Sequence, residues 1–403
     1  MENRDRLVAG GRHGPAILVF KGDKSSLILY MMGELKPKMP PNGAIDLEKI
    51  TVVRRWIDEG AKVDSMTSPE ARAASKASAA PLTSLKVKSL PAPVTALAYA
   101  PDGSALAAGG YRVVRLLDPK TGGVTRTITG AADQVQAIAW SSDGKYLAAA
   151  GGIPGQSGEI VVFNAESGKP LKSLTGHTDT VYAVAWRPNS MEIATGSLDK
   201  TARVWDVTAG SCTRVIKEHA DAVFGVAYSP DGKLFATASG DRTAKLFSTA
   251  TWKRTDTLNA HQDAVTRVAF NANGTILVTA GADRQFRIWK VDPGKIENPV
   301  RAQGGSDAIN ALAYSPDGSV LAWGACSGEV SVYNGDGSNQ KRSIKDAKDW
   351  IYSVAIAKDN DTIAAGTQEG KVLFWSLREG KIISTVTLAP SGARVEPASE
   401  AKR

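Results

Sequence analysis

Three sets of residues in this 403-residue chain have the types and the spacing that chemistry requires. They are His177, Thr195 and Asp199; His219, Thr237 and Asp241; and His261, Thr279 and Asp283. In each, the hydroxyl lies 18 and the carboxylate 22 residues beyond the imidazole. A histidine base, an acid that orients it and a hydroxyl nucleophile are the parts of an acyl-transfer site. Three copies at steps of 42 residues, however, follow a structural period, which favours bracing over catalysis. The sequence has no nucleophile elbow, phosphate-cradling loop or metal-ligand cluster. Cys212 and Cys326 stand far apart in unrelated contexts, so neither a disulfide framework nor a thiolate zinc site can be assembled, and both are expected to be small buried hydrophobes.

Composition bounds the rest. With 42% hydrophobic and 22% charged residues the chain is ordinary globular material, long enough for one large repeat fold and a small extra module. No window approaches ~18 consecutive apolar residues, so no membrane-spanning helix is expected. The net charge is +8, of which +5 falls in residues 1–90 and only +2 in residues 91–390. Acids and bases interleave through the most patterned region, which argues against a nucleic-acid face.

The elements that position the histidines repeat. The pattern Val-x-x-apolar-Ala-aromatic occurs as Val94–Tyr99, Val135–Trp140, Val181–Trp186, Val223–Tyr228, Val265–Phe270, Ile309–Tyr314 and, with a terminal isoleucine, Ile351–Ile356. The ends of these runs are 41, 46, 42, 42, 44 and 42 residues apart, and a second anchor, Leu117, Phe163, Trp205, Phe247, Trp289, Tyr333 or Trp375, usually follows 19 residues on. Asp-Gly or Asn-Gly joins the first two apolar runs of most units, the strongest short-range signal for a hairpin. The second unit is longer, and its extra stretch Gly151–Gly158 reads as a lengthened hairpin loop. Each unit is then a four-stranded antiparallel meander, and seven such sheets at this period make an all-β, seven-bladed propeller.

Over roughly 300 residues the units resemble WD repeats. Gly176-His177 opens the third unit and Trp205-Asp206 closes its third strand, as the dipeptides of that family do. The resemblance implies a hydrogen-bonded tetrad in His177, Thr195, Asp199 and Trp205, and again in His261, Thr279, Asp283 and Trp289. It implies a partial tetrad in His219, Thr237 and Asp241, where Phe247 has no N–H to give. The last sheet can take its outer strand from Leu82–Leu90 or from Lys381–Leu388. The family's habit favours the opposite terminus, leaving the second as an edge.

Residues 65–81, with 12 Ala, Ser or Pro among 17, read as a linker, residues 82–390 as the propeller and 391–403 as a tail. In residues 1–64, Asp46 caps a helix whose apolar Leu47, Ile50, Val53 and Ile57 recur at helical spacing and which ends at Gly60. The runs Gly14-Pro15, Met39-Pro40-Pro41 and Arg55-Trp56-Ile57-Asp58-Glu59-Gly60 resemble the C-terminal half of a planctomycete-type c-type cytochrome domain. The resemblance makes Met39 the distal haem ligand. No Cys precedes position 212, so Cys-x-x-Cys-His is missing. Haem c is therefore expected only in a longer parent, with no cofactor in this chain as it stands, and His13 reads as a loop residue.

The functional expectation is a non-enzymatic scaffold that binds other proteins or peptides through a propeller face, with no nucleic acid and no membrane span. The residue after the first anchor of each unit should stand at an entrance face, and Tyr182, Phe224 and Tyr352, with neighbouring Trp350, make the candidate contact patch. The alternative is an exported electron-transfer cytochrome fused to a propeller. By its N-terminus the chain reads as cytoplasmic, and as exported if a signal peptide precedes it.

Overall fold

A computed structural model describes residues 92–292, 295, 296, 299 and 301–388, together with Ile50 and Val53. The chain divides into two compact units, Met1–Lys88 and Ser89–Arg403. Of the first unit, Ile50 and Val53 stand in helical backbone and Ile50 is buried. The rest of the expected cytochrome-like module, the linker, the 82–90 strand and the 391–403 tail lie outside the described residues.

Alternating apolar runs punctuated by Asp-Gly turns give antiparallel strands throughout the second unit. Val181–Trp186, Glu192–Ser197, Ala202–Asp206 and Ser211–Ile216 form one up-and-down sheet, paired from Val181↔Ser197 through Ala202↔Ile216. Sheets of the same order begin at Val223–Tyr228, Ile309–Tyr314 and Ile351–Ile356. In the sheet that begins at Val265–Phe270, strand Gln285–Asp292 pairs with both Arg301–Gly304 and the short Lys295–Ile296. At the turns Gly232 and Gly318 adopt φ of 69° and 73° and donate to Ser229 and Ser315.

The first two units depart from the expected separate sheets. Leu97–Tyr99 to Pro170–His177 form one seven-stranded sheet because Val124–Trp140 is continuous over 17 residues. Its first half pairs with Tyr111–Leu117 and its second with Tyr146–Ile153. This junction has Gly130-Ala131 where the third unit has Gly176-His177, so no imidazole brace forms there. The stretch Gly151–Gly158 is likewise not a loop. Gly151↔Glu159, Gly152↔Gly158 and Ile153↔Ser157 continue the ladder, leaving only Pro154–Gln156 to turn.

The outer strand of the last sheet also corrects the expectation. Lys381–Thr387 pairs with Lys371–Ser376 through Lys371↔Thr387 to Ser376↔Lys381. A strand delivered by a short turn at Arg378-Glu379-Gly380 has little loop entropy to lose, whereas one from the far terminus must bridge the whole chain. Between first and last sheets, the Val94 N–H donates to the Thr367 carbonyl at 3.0 Å and Ser353 Oγ to the Val94 carbonyl at 2.9 Å.

Cores lie between consecutive sheets. Ala148, Ile160, Val162 and Leu174 of one pack on Val181, Trp186, Ile193 and Trp205 of the next, and Val94, Leu106 and Leu117 on Val372, Phe374 and Leu388 across the closure. Each such side chain contributes about 1.5–3 kcal/mol by leaving water. Trp140 and Trp186 also donate their indole N–H to Ala98 and Ala139 of the preceding inner strands, both at 3.0 Å. Residues of all the inner strands line a common channel, open as cavities at its two ends.

Candidate functional site

The three histidine sets are each brought together. His177 Nδ1 lies 2.7 Å from Asp199 Oδ2, Nε2 lies 2.7 Å from Thr195 Oγ1, and the Trp205 indole N–H donates to the same Oγ1 at 2.9 Å. Asp199 can only accept, so Nδ1 carries the hydrogen and Nε2 takes the Thr195 O–H. The relay runs in one direction, Trp to Thr to His to Asp. His261, Thr279, Asp283 and Trp289 repeat the contacts at 3.0, 2.8 and 2.9 Å, with Arg287 Nη1 also 2.6 Å from His261 Nδ1. His219 meets Asp241 and Thr237 at 2.8 and 2.7 Å, while Phe247 leaves the Thr237 oxygen without its indole.

Burial pushes all three imidazoles below their ordinary pKa, although the adjoining carboxylate pulls the other way. They are neutral at pH 7. Burial works against Asp241, but hydrogen bonds from Thr243 and His219 outweigh it and hold the carboxyl at about 2. A nucleophile must reach its substrate, yet Thr195, Thr237 and Thr279 are each 0% exposed. The geometry braces three strands and offers no reacting atom to solvent.

The remaining units replace the brace in different ways. Ala131, Gly305 and Ala347 stand four residues before the inner strand, where the third, fourth and fifth units have histidine. In the sixth unit Trp323 occupies the threonine position, and a Cβ on Gly305 would lie 2.8 Å from its Cη2, so the indole takes the space a histidine fills elsewhere. Glu329 beside it accepts from Ser331 at 2.8 Å and Ser343 at 2.7 Å and also bonds Ser306. Burial raises this carboxyl, but the three hydroxyls bring it below its ordinary value.

The four aromatic residues of the predicted patch gather at one end of the channel or on its rim. A cavity of about 210 Å³ there is lined by Thr95, Gln136, Tyr182, Phe224, Arg267 and Tyr352, among others. Tyr182 and Phe224 meet edge to face with ring centres 5.7 Å apart, and Trp350, 49% exposed, leans on Tyr352 at 6.2 Å. Burial, with Asp179 adding to it, raises the Tyr182 hydroxyl. Asp221 and Phe224 both flank Gly240, and Asp349 accepts the Glu369 N–H at 2.7 Å.

Arg267 was not among the predicted residues. The third position of the inner strands reads Ala96, Ala137, Ala183, Gly225, Arg267, Ala311 and Ser353, so aligning the repeats at that position, one past the position chosen, singles it out. Met39 and His13 lie outside the described residues. Cys212 and Cys326 are half-buried rather than core, and Asn310 Nδ2 lies 2.8 Å from the Cys326 sulfur. Among the described residues no helix is long and apolar enough to cross a membrane, and no group of three or more His, Cys, Asp or Glu could hold a metal ion.

Comparison with known proteins agrees with this geometry. The family model described as the IFT122 first beta-propeller matches residues 202–396, and the WD domain, G-beta repeat, matches residues 122–164 and 168–206. The chain is 29% identical over 126 residues to the WD repeat-containing protein SL1-17 of Schistosoma mansoni, covering 29% of this chain and 41% of that protein. It is 35% identical over 68 residues to the human intraflagellar transport protein 122 homolog, covering 17% and 5%. It is 31% identical over 87 residues to the guanine nucleotide-binding protein subunit beta-like protein of Encephalitozoon cuniculi, covering 22% and 25%. The chain thus spans less than half the length of each of these relatives. The repeating sheets and imidazole braces, with matches that between them span residues 122–164 and 168–396, support a WD-repeat β-propeller.

Proposed function

We propose that this propeller is a non-enzymatic scaffold that holds a protein segment at the channel entrance, on Tyr182, Phe224, Trp350 and Tyr352. We read it as seven-bladed, the seven-stranded sheet being two blades that share Val124–Trp140. The observation that carries the function is the half-exposed Trp350, tilted against Tyr352 on the rim of an entrance whose cavity Tyr182 and Phe224 also line. Large aromatic surfaces near a solvent-filled depression are the usual anchors of a protein interface. WD-repeat rings act through such faces, and the histidine sets are committed to bracing.

Affinity capture with the whole chain tests this, compared between wild type, Tyr182→Ala/Phe224→Ala and Trp350→Ala. The expected result is loss of the captured partner from both variants with the thermal midpoint lowered by no more than about 4 °C. An unchanged set of partners would refute the assignment of this face. A much larger fall in the midpoint would make the aromatic residues packing elements instead.

A further inference from the structure

Six of the inner strands carry Ala, Gly or Ser at their third position, and the fifth carries Arg267. Arg267 lines the entrance cavity together with Tyr182 and Phe224. The hydrogen bonds it makes among the described residues both come from Nη1, to the Thr266 carbonyl at 2.8 Å and to the Phe224 carbonyl at 3.5 Å. Nε and Nη2, the side of the fork that grips a carboxylate with two parallel bonds, make none there.

Among the described residues nothing neutralises this guanidinium. Arginines 112, 187, 203, 254 and 287 each form an ion pair with an acid of this chain, and Arg267 forms none. Cation–π contacts are made by Arg203 over Trp205 and Arg214 over Trp252, not by Arg267. Burial pushes its pKa down to about 10, which leaves it fully charged at pH 7. Arg267 is half-buried on the cavity wall, so the donors it leaves unused there are open to a ligand.

We infer that Arg267 is an anion anchor at the channel entrance, and that it takes a single carboxylate carried by a protein segment whose neighbouring side chain packs on Tyr182 and Phe224. The carboxylate comes either from an Asp or Glu side chain or from a free C-terminus. This inference rests on the entrance being the recognition face. The surrounding charge selects the chemistry. Asp179 and Asp349 lie near enough to Tyr182 and Tyr352 to act on their hydroxyls, and Asp221 flanks Phe224. A singly charged carboxylate meets that acidic rim once, whereas a phosphate monoester carries about −1.5 to −2 at neutral pH and is repelled more strongly.

Four probes distinguish the possibilities, each titrated against the whole chain by ligand-observed NMR: Ac-Phe-Glu-NH2, Ac-Gln-Phe with a free carboxylate, Ac-Phe-Gln-NH2 and phenyl phosphate. The expected result is millimolar binding of at least one carboxylate probe, weakened about tenfold or more in the neutral amide and in Arg267→Gln. Arg267→Lys, which keeps the charge but not the fork, should retain only part of it. Preference for the first probe assigns an internal acid, and preference for the second a chain terminus. Arg267→Met should leave the thermal midpoint unchanged or raised, because it removes a charge that has no partner.

Equal binding by Arg267→Gln, equal binding of the amide, tighter binding of phenyl phosphate, or no binding by about 10 mM overturns the inference. So does a large fall in midpoint in both Arg267→Gln and Arg267→Met, which would make the side chain structural. The scaffold reading fails separately. A partner lost from Tyr182→Ala/Phe224→Ala but kept by Arg267→Gln removes the anchor and leaves the scaffold. Carboxylate binding at Arg267 with no captured partner does the reverse.

Discussion

Replacing Thr195 by Val keeps the shape of the side chain and removes the one oxygen through which Trp205 and His177 are joined. Two buried groups lose their partner, the Trp205 N–H at 2.9 Å and His177 Nε2 at 2.7 Å. Leaving a buried polar group unpaired costs about 1–3 kcal/mol, so Thr195→Val should destabilise by about 2–5 kcal/mol. The fourth blade supplies the control. Thr237 bonds His219 Nε2 at 2.7 Å but faces Phe247, so Thr237→Val orphans one group and should cost about 1–3 kcal/mol. The weak contacts of both hydroxyls to the carbonyls of Arg203 and Lys245, at 3.5 and 3.4 Å, cancel in the comparison. Urea unfolding followed by tryptophan fluorescence measures both. In a Trp205→Phe background, the cost of Thr195→Val should fall to that of Thr237→Val. Equal costs for the two valine variants in the native background would show that the indole bond contributes nothing, and the directional relay would be refuted.

Acid should weaken the fold in two stages. The folded imidazoles have lowered pKa values, so the unfolded chain binds their protons first, and stability that is full above about pH 7 falls as pH drops through 6.5. Asp199, Asp241 and Asp283 add to the loss only below their ordinary value, as pH falls toward about 2 for Asp241. Urea midpoints from pH 7.5 to 3 test this, and His219→Gln should flatten the first stage. Phe247→Trp should destabilise by about 1–3 kcal/mol through overpacking. Phe235 stands opposite it, where the third and fifth blades pair Ile193 with Trp205 and Leu277 with Trp289, so Phe235→Leu added to it should recover most of the loss in the same melts. Gly305→Ala should cost about 1–3 kcal/mol against Trp323. Trp323→Thr should relieve that clash, which a crystal structure of the pair would show.

The period of the repeats, the hairpins and the braces were legible because each depends on a few residue types at fixed separation. Asp-Gly turns and His, Thr and Asp at constant spacing are local facts that the fold cannot rearrange. What was not legible depends on residues that are missing. Without a histidine at Ala131, nothing in the sequence says that Val124–Trp140 runs on as one strand. Glycines at Gly151 and Gly152 read as loop, although the ladder needs them: a Cβ would collide with the Gln134 carbonyl at the first and the Ser157 carbonyl at the second, where φ is 144°. The outer strand Lys381–Thr387 alternated as suitably as its competitor, and the short turn before it decided the matter. Trp323 carried no signal in the sequence, because its role is to fill space left by a histidine that the sixth unit lacks.

These departures from the repeat fall into two physical kinds, and only one of them points to function. Phe247 lacks the indole N–H, and Phe235 supplies bulk where the other braced blades carry Ile193 or Leu277. Gly305 lacks the imidazole, and Trp323 occupies its place while Glu329 and its three serines rebuild a polar network. In each case a neighbour in the same blade makes good the loss, as expected where the selected property is the stability of a sheet. Arg267 has no such neighbour. Among the described residues no acid moves in to pair it, no ring covers it, and the adjoining inner strand offers only the Phe224 carbonyl at 3.5 Å. Arg267 is half-buried on the wall of the entrance cavity, where the other inner strands carry Ala, Gly or Ser and where its charge meets no acid among the described residues. The compensation we propose therefore comes from outside the chain, at the cavity that Arg267 lines.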